Sequence, residues 1–171
     1  MAHAETGVLA PGNDALLEEL YQTLAQPDLD DWQVVERQVL VLWSQSGSPA
    51  MDLLLDRGRR AMNAGALTVA VEHFSALIDH APDFAEGWNM RATAYYLLGE
   101  YGLSVADIRQ TLILNPQHFG ALAGLGSIYE LTDNPAGALA AFRAAQAVNP
   151  HREDINSAIE RLTIVVEGEQ L

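Results

Sequence analysis

The sequence predicts an all-α fold, a short α-solenoid of antiparallel helix pairs. Three observations carry that expectation. Pro82, Pro116 and Pro150 stand 34 residues apart, twice over, and self-similarity at such a period marks a repeat architecture. Cut to that length, the windows 51–84, 85–118 and 119–152 repeat small and bulky residues at fixed places. The apolar positions are filled mainly by alanine and leucine, good helix formers, and aromatic residues make up only 7% of the chain.

From the N-terminus, residues 1–12 contain Pro11-Gly12 and little to hold them, and read as a flexible lead-in. A helix follows, with Leu16, Leu17, Leu20, Tyr21 and Leu24 along one side, Asn13 or Asp14 as its cap and Pro27 as its stop. The next helix has Trp32, Val35, Val39, Leu42 and Trp43 as its apolar stripe. Asp28, Asp30 and Asp31 favour its start through the helix dipole. Residues 13–50 are thus expected to form a helical hairpin over the open side of the first window, with a degenerate further repeat as the alternative. The stretch SQSGSPA is its joint to the rest, with Gly47 as a C-cap.

Each window reads as a hairpin. Position 8 is Gly58, Ala92 and Gly126; position 11 is Ala61, Tyr95 and Tyr129; position 20 is Ala70, Ser104 and Ala138. Position 24 is Phe74, Ile108 and Phe142, and position 27 is Leu77, Thr111 and Ala145. Small residues let two helices approach, and bulky ones fill the space between them. The first helices are expected over 51–64, 85–98 and 119–131, and the second over 67–80, 101–114 and 135–148. Gly65 and Gly99 suit left-handed C-terminal positions, and Asn134-Pro135 places a cap before an N1 proline. Each period-marking proline ends its unit, because it cannot continue a helix and pushes the residue before it towards an extended conformation. Residues 153–171 read as a capping helix with a frayed tail, the helix shielding the last window through Ile155, Ala158, Ile159, Leu162 and Val165.

The stretch WNMRATAYYLLGEYGLSVADIRQTLILNP, with Trp88, Ala92, Tyr95, Gly99, Tyr101, Ser104, Ile108 and Pro116, resembles a tetratricopeptide repeat. So does ALAGLGSIYELTDNPAGALAAFRAAQAVNP, through Leu122, Leu125, Gly126, Tyr129, Ala138, Phe142, Ala145 and Pro150. The first window keeps Leu54, Gly58, Ala70, Phe74 and Pro82 but has Ala61 where the family prefers tyrosine. The resemblance covers about residues 51–150 and suggests a small bacterial protein of three repeats. It implies a right-handed superhelix whose first helices line a concave face. Arg91 stands where that family has an apolar residue, and is expected to form a partly buried ion pair with Asp107 on the facing helix.

Composition and motifs exclude several classes of function. The net charge is −14, which opposes nucleic-acid backbones and anionic membranes and favours a basic peptide or protein face. All nine basic residues are arginine, so no P-loop exists. Cysteine is absent, removing disulfides and thiolate chemistry. His73 and His80 are seven residues apart, a poor spacing for a metal pair, and His118 and His151 read as corner residues beside the prolines. No metal, cofactor or catalytic group is expected. No apolar run is long enough to span a membrane. The start lacks an intact signal peptide; Ala2-His3-Ala4 has the form of a cleavage site, in which case the setting is the periplasm, otherwise the cytoplasm.

The expected function is therefore a non-catalytic interaction module or adaptor that binds another protein or peptide. Bacterial envelope assembly is the setting if the cleavage reading holds. The resemblance places the ligand in the concave groove, on Leu55, Arg59, Met62, Asn89, Thr93, Tyr96, Ala123, Ser127 and Glu130. Family members that clamp a terminal carboxylate use lysine and asparagine where this chain has Leu55 and Arg59, so it departs from that pattern. The alternative is a structural repeat that forms a homo-oligomer, with Tyr21, Trp32 and Trp43 as contacts.

Overall fold

The computed structural model describes residues 13–168; Ala2-His3-Ala4 with the rest of 1–12, and 169–171, lie outside the described residues. Within them the chain forms α1 (Asn13–Leu24), α2 (Trp32–Trp43), α3 (Pro49–Asn63), α4 (Leu67–His80), α5 (Ala85–Leu97), α6 (Tyr101–Leu114), α7 (Phe119–Leu131), α8 (Pro135–Val148) and α9 (Glu153–Gly168), with no strand. Helices α3/α4, α5/α6 and α7/α8 pair in succession, and α9 packs on α8. The chain is an all-α helical-repeat solenoid.

The punctuation works as the residue types demand. Gly65 and Gly99 adopt φ of +73° and +79°. Each closes the preceding helix with a pair of bonds, such as Gly65 N–H to the Met62 carbonyl and Ala66 N–H to the Ala61 carbonyl, both at 2.9 Å. In the third repeat Asp133 takes the same left-handed turn at φ 59°, without the freedom of a glycine. Asn134 accepts the Gly137 N–H at 3.0 Å and caps α8. Ala81, Asn115 and Asn149, each before a proline, leave the helical region, with φ of −138°, −139° and −133°. Helix α9 runs on through Glu167 and Gly168, beyond the frayed end expected from sequence.

The positional pattern becomes packing. Positions 20, 24 and 27 are buried in all three repeats. A methyl group on Gly126 would lie 2.9 Å from the Phe142 ring, and one on Gly58 would run into Phe74, so glycine at position 8 is what admits the phenylalanine. Arg91 and Asp107 form the expected pair, a two-bonded fork at 2.7 and 2.9 Å. Arg91 also donates to Ser75 at 3.1 Å and lies over the Trp88 and Tyr95 rings. One guanidinium thus ties α4, α5 and α6 together, and its hydrogen bonds to Asp107 raise its pKa above the usual arginine value. Removing one partner of so enclosed a pair costs about 3–5 kcal/mol.

The sequence suggested that the hairpin α1–α2 covers the first repeat, but the core it joins contains no residue of α3 or α4. Leu17, Tyr21, Leu24, Val39, Leu42 and Trp43 instead join one core with Phe119, α8 and α9. The reason lies in the partners that the hairpin's aromatic rings and one carboxylate find. The Tyr21 hydroxyl accepts from Trp43 Nε1 at 2.7 Å and meets the Asn115 amide at 3.1 Å. Trp43 stacks on His118 at 3.8 Å and Trp32 on His151 at 5.7 Å. His151 Nε2 donates to the Leu24 carbonyl at 3.0 Å, closing the end of α1. Glu36 receives Arg152 at 3.0 Å and Asn149 at 3.3 Å. These partners belong to the second and third corners. The first corner has Ala81 and Phe84 in the matching places. Tyr21 and Trp43 are therefore buried inside the molecule and not available as the outward contacts expected of them, while Trp32 stacks on His151 and stays part-exposed. Helix α2 also ends earlier than expected: Ser44 is its C-cap, and Gly47, at φ +80°, lies within the turn to α3.

Candidate functional site

The concave face is built from α3, α5 and α7, and half of it is committed to the chain itself. Glu86 sits in the first turn of α5, where the helix dipole favours a carboxylate. It is buried, and it accepts from Arg59 at 2.6 Å, Asn89 at 3.1 Å and His118 at 3.1 Å. His118 Nδ1 takes the Ala121 N–H at 3.0 Å. A backbone amide can only donate, so that nitrogen carries a lone pair, and the proton sits on Nε2 facing Glu86. Arg59 reaches back to the Ser44 hydroxyl at 3.0 Å. The first two repeats, the cap of α7 and, through Arg59, the end of α2 thus meet around one buried carboxylate whose bonding capacity is used internally.

Next to this node, on the half that α2 leaves clear, α5 and α7 part to form a cleft of about 150 Å³. Asn89, Thr93 and Tyr96 line one wall, and Gly120, Gly124 and Ser127 the other, with Ile108 at the floor. Gly120 and Gly124 lie one turn apart on α7, and the missing side chains make the depth of the cleft. Thr93 and Ser127 bond their hydroxyls to backbone carbonyls of Asn89 and Ala123 in their own helices, which leaves methyl and methylene surface towards the opening. Tyr96 rests against Tyr101 at 5.8 Å. The cleft is apolar along its length and amide-bearing at one end, a lining suited to a side chain or short extended segment.

The sequence model described as tetratricopeptide repeat matches residues 55–109 and again 90–158. The chain belongs to the tetratricopeptide repeat family. A TPR repeat-containing protein of Rhizobium etli is 30% identical over 151 residues, covering 85% of this chain and 74% of that protein. The SGT1 homolog of Bos taurus is 33% identical over 101 residues, 59% of this chain, and the chain spans only 30% of that protein's length. Among solved structures, the first TPR of Spaghetti, bound to an HSP90 peptide, superposes with a TM-score of 0.66 at 15% identity, over 68% of this chain and 93% of that one.

Within this TPR array, the nine residues expected to line the groove divide. Asn89, Thr93, Tyr96 and Ser127 come together around the cleft. The other five do not. Leu55 is 2% exposed and belongs to the core of the first repeat, and Met62 packs against that core. Arg59 is held by Glu86 and Ser44, and Ala123 lies under the core that the hairpin joins. Glu130 is paired with Arg161 of α9. In each case an end element supplies the partner or the packing alters which face is outward, and a period read within the repeats carries no information on either. His118 was legible as a corner residue, but its role depends on Trp43, and Gly124 gave no signal before the cleft was seen. Among the described residues no group of acidic and histidine side chains could hold a metal ion, and no helix is long and apolar enough to cross a membrane.

Proposed function

We propose that the protein is a non-catalytic peptide-binding module whose ligand lies on the α5/α7 half of the concave face, alongside α2. The observation that carries this is Gly124. A glycine inside a helix costs about 0.5–1 kcal/mol relative to alanine. Gly126 is required by the Phe142 ring, but a methyl group on Gly124 would only make ordinary contact with Ile108, at 3.7 Å. Packing does not call for a glycine there; an open cleft does. The Spaghetti TPR, solved with a peptide, supports the same class of ligand. The chain has no lysine, Leu55 is buried and Arg59 is held by Glu86 and Ser44, which argues against a ligand anchored by a terminal carboxylate.

Peptides selected by display on the full chain test this reading. Gly124→Leu and Tyr96→Ala should each weaken the selected peptides by tenfold or more, with the far-ultraviolet spectrum unchanged. Peptides that bind both variants as tightly as the parent would place the ligand elsewhere.

A further inference from the structure

The three corners of the solenoid are not equivalent. The second and third hold the hairpin through Asn115, His118, Asn149, His151 and Arg152. The first has Ala81, Asp83 and Phe84 at the corresponding places and gives the hairpin no amide or imidazole to meet. Helix α1 stands off from it, and the gap is a cavity of about 230 Å³.

Its composition is one-sided. The walls are apolar, made by Leu17, Tyr21, Trp43, Phe84, Leu114 and Pro116. Asp14, Glu18 and Asp83 also line it, and all three are exposed, which puts their carboxylates towards the mouth. Glu86 lies deeper, with its oxygens engaged by Arg59, Asn89 and His118. No lysine or arginine is among the lining residues, and none of the salt bridges among the described residues uses Asp14, Glu18 or Asp83.

We infer that this cavity takes a basic side chain of the bound peptide, an arginine or lysine whose aliphatic stem lies against Leu17, Phe84 and Leu114 while its cationic head sits among Asp14, Glu18 and Asp83. The carboxylates by themselves would attract any cation. The apolar walls behind them select one carried on a hydrocarbon stem, because such side chains bury their methylenes and keep the charge at the wet end. An acidic side chain would meet four carboxylates, and a wholly apolar one would desolvate the three at the mouth without compensation. The net charge of −14 draws the same partner from a distance. The subsite deepens the peptide-binding reading and rests on it, but it is separate from the α5/α7 cleft.

The test uses the full chain and two fluorescein-labelled dodecapeptides of alanine and glycine. One carries two arginines; the other has citrulline, the neutral isostere, in their place. In fluorescence anisotropy at physiological salt, the arginine peptide should bind at least tenfold more tightly than the citrulline peptide. The triple variant D14N/E18Q/D83N should lose that preference. A triple with the same charge change on exposed sites far from the cavity, E72Q/E160Q/E167Q, should alter binding less than twofold. No discrimination between the peptides, no measurable binding of the arginine peptide, or equal weakening by both triples overturns the subsite. If that happens while display-selected peptides still depend on Gly124 and Tyr96, the subsite alone is wrong and the binding module stands.

Discussion

The three repeats and the N-terminal hairpin are both helical pairs, yet they are held in place by different physics. Each repeat buries the same positions against its neighbour, so the body is a sum of short-range apolar contacts, with Phe74 in the first unit and Phe142 in the third filling the space left by a facing glycine. The hairpin is held by aromatic rings that find single partners far away in sequence, Tyr21 by a hydrogen bond to Asn115 and Trp43 and Trp32 by stacking on His118 and His151. A repeated contact tolerates drift in one unit. A unique contact specifies one docking site, and losing it frees one element while the body persists. The hairpin also determines how much of the concave face a ligand can reach.

The largest effect should come from the body. Phe74 is fully buried, and Phe74→Ala should destabilise the protein by about 3–5 kcal/mol in urea unfolding; a loss below about 1 kcal/mol would mean that the position-24 ring is not what joins the helices. Tyr95 is only half-buried beside Arg91, so Tyr95→Ala should cost less than Phe74→Ala. The hairpin should respond differently. Trp43→Ala removes a buried ring and the stack on His118, a loss of about 3 kcal/mol. In hydrogen exchange it should unprotect α1 and α2 while α3–α8 keep their protection. Uniform loss across the repeats would show that hairpin and body form one cooperative unit.

A smaller effect separates the two regions by pH. Burial pushes the Tyr21 hydroxyl up to about 12, against bonds from Asn115 and Trp43 that work the other way. The unfolded chain ionises this group near its ordinary value of 10, while the native hairpin holds the proton until about 12. The stability it contributes is therefore complete below pH 10 and is lost as pH rises through the folded value, by roughly 2–3 kcal/mol in total. Tyr21→Phe should flatten the fall of stability between pH 10 and 12, and an unchanged slope would remove Tyr21 as its source. The smallest change is a gain. Asp133 occupies the left-handed turn that Gly65 and Gly99 fill in the other repeats, so Asp133→Gly should raise stability by about 0.5–1 kcal/mol. A loss on thermal melting would mean that Asp133 makes a contact that outweighs its strain.

How far the molecule can be read from its residues follows the same division. The second helices α4, α6 and α8 fall where the period and the caps place them, α3 differs from expectation by one or two residues at each end, and α5 by one residue at its C-terminus. The Arg91–Asp107 pair was visible as a charge standing where the pattern asks for an apolar residue. Asn89, Thr93, Tyr96 and Ser127 reach the cleft because α5 and α7 part there and no other element claims those positions. Leu55, Arg59, Met62, Ala123 and Glu130 do not, because core packing, the hairpin and α9 claim them.

What the amino-acid order determined by itself was therefore everything that depends on near neighbours: helix, corner, pairing, and the glycine opposite each phenylalanine. Periodicity encodes such contacts directly, since each helix packs on the next one along the chain. Only the tertiary structure decided where the hairpin docks, which half of the concave face stays open, and that a cavity survives at the first corner. Those outcomes rest on bonds between residues separated by 94 to 127 positions, chosen by which corner offers an amide to a hydroxyl or an imidazole to a ring face, and no local pattern carries that choice.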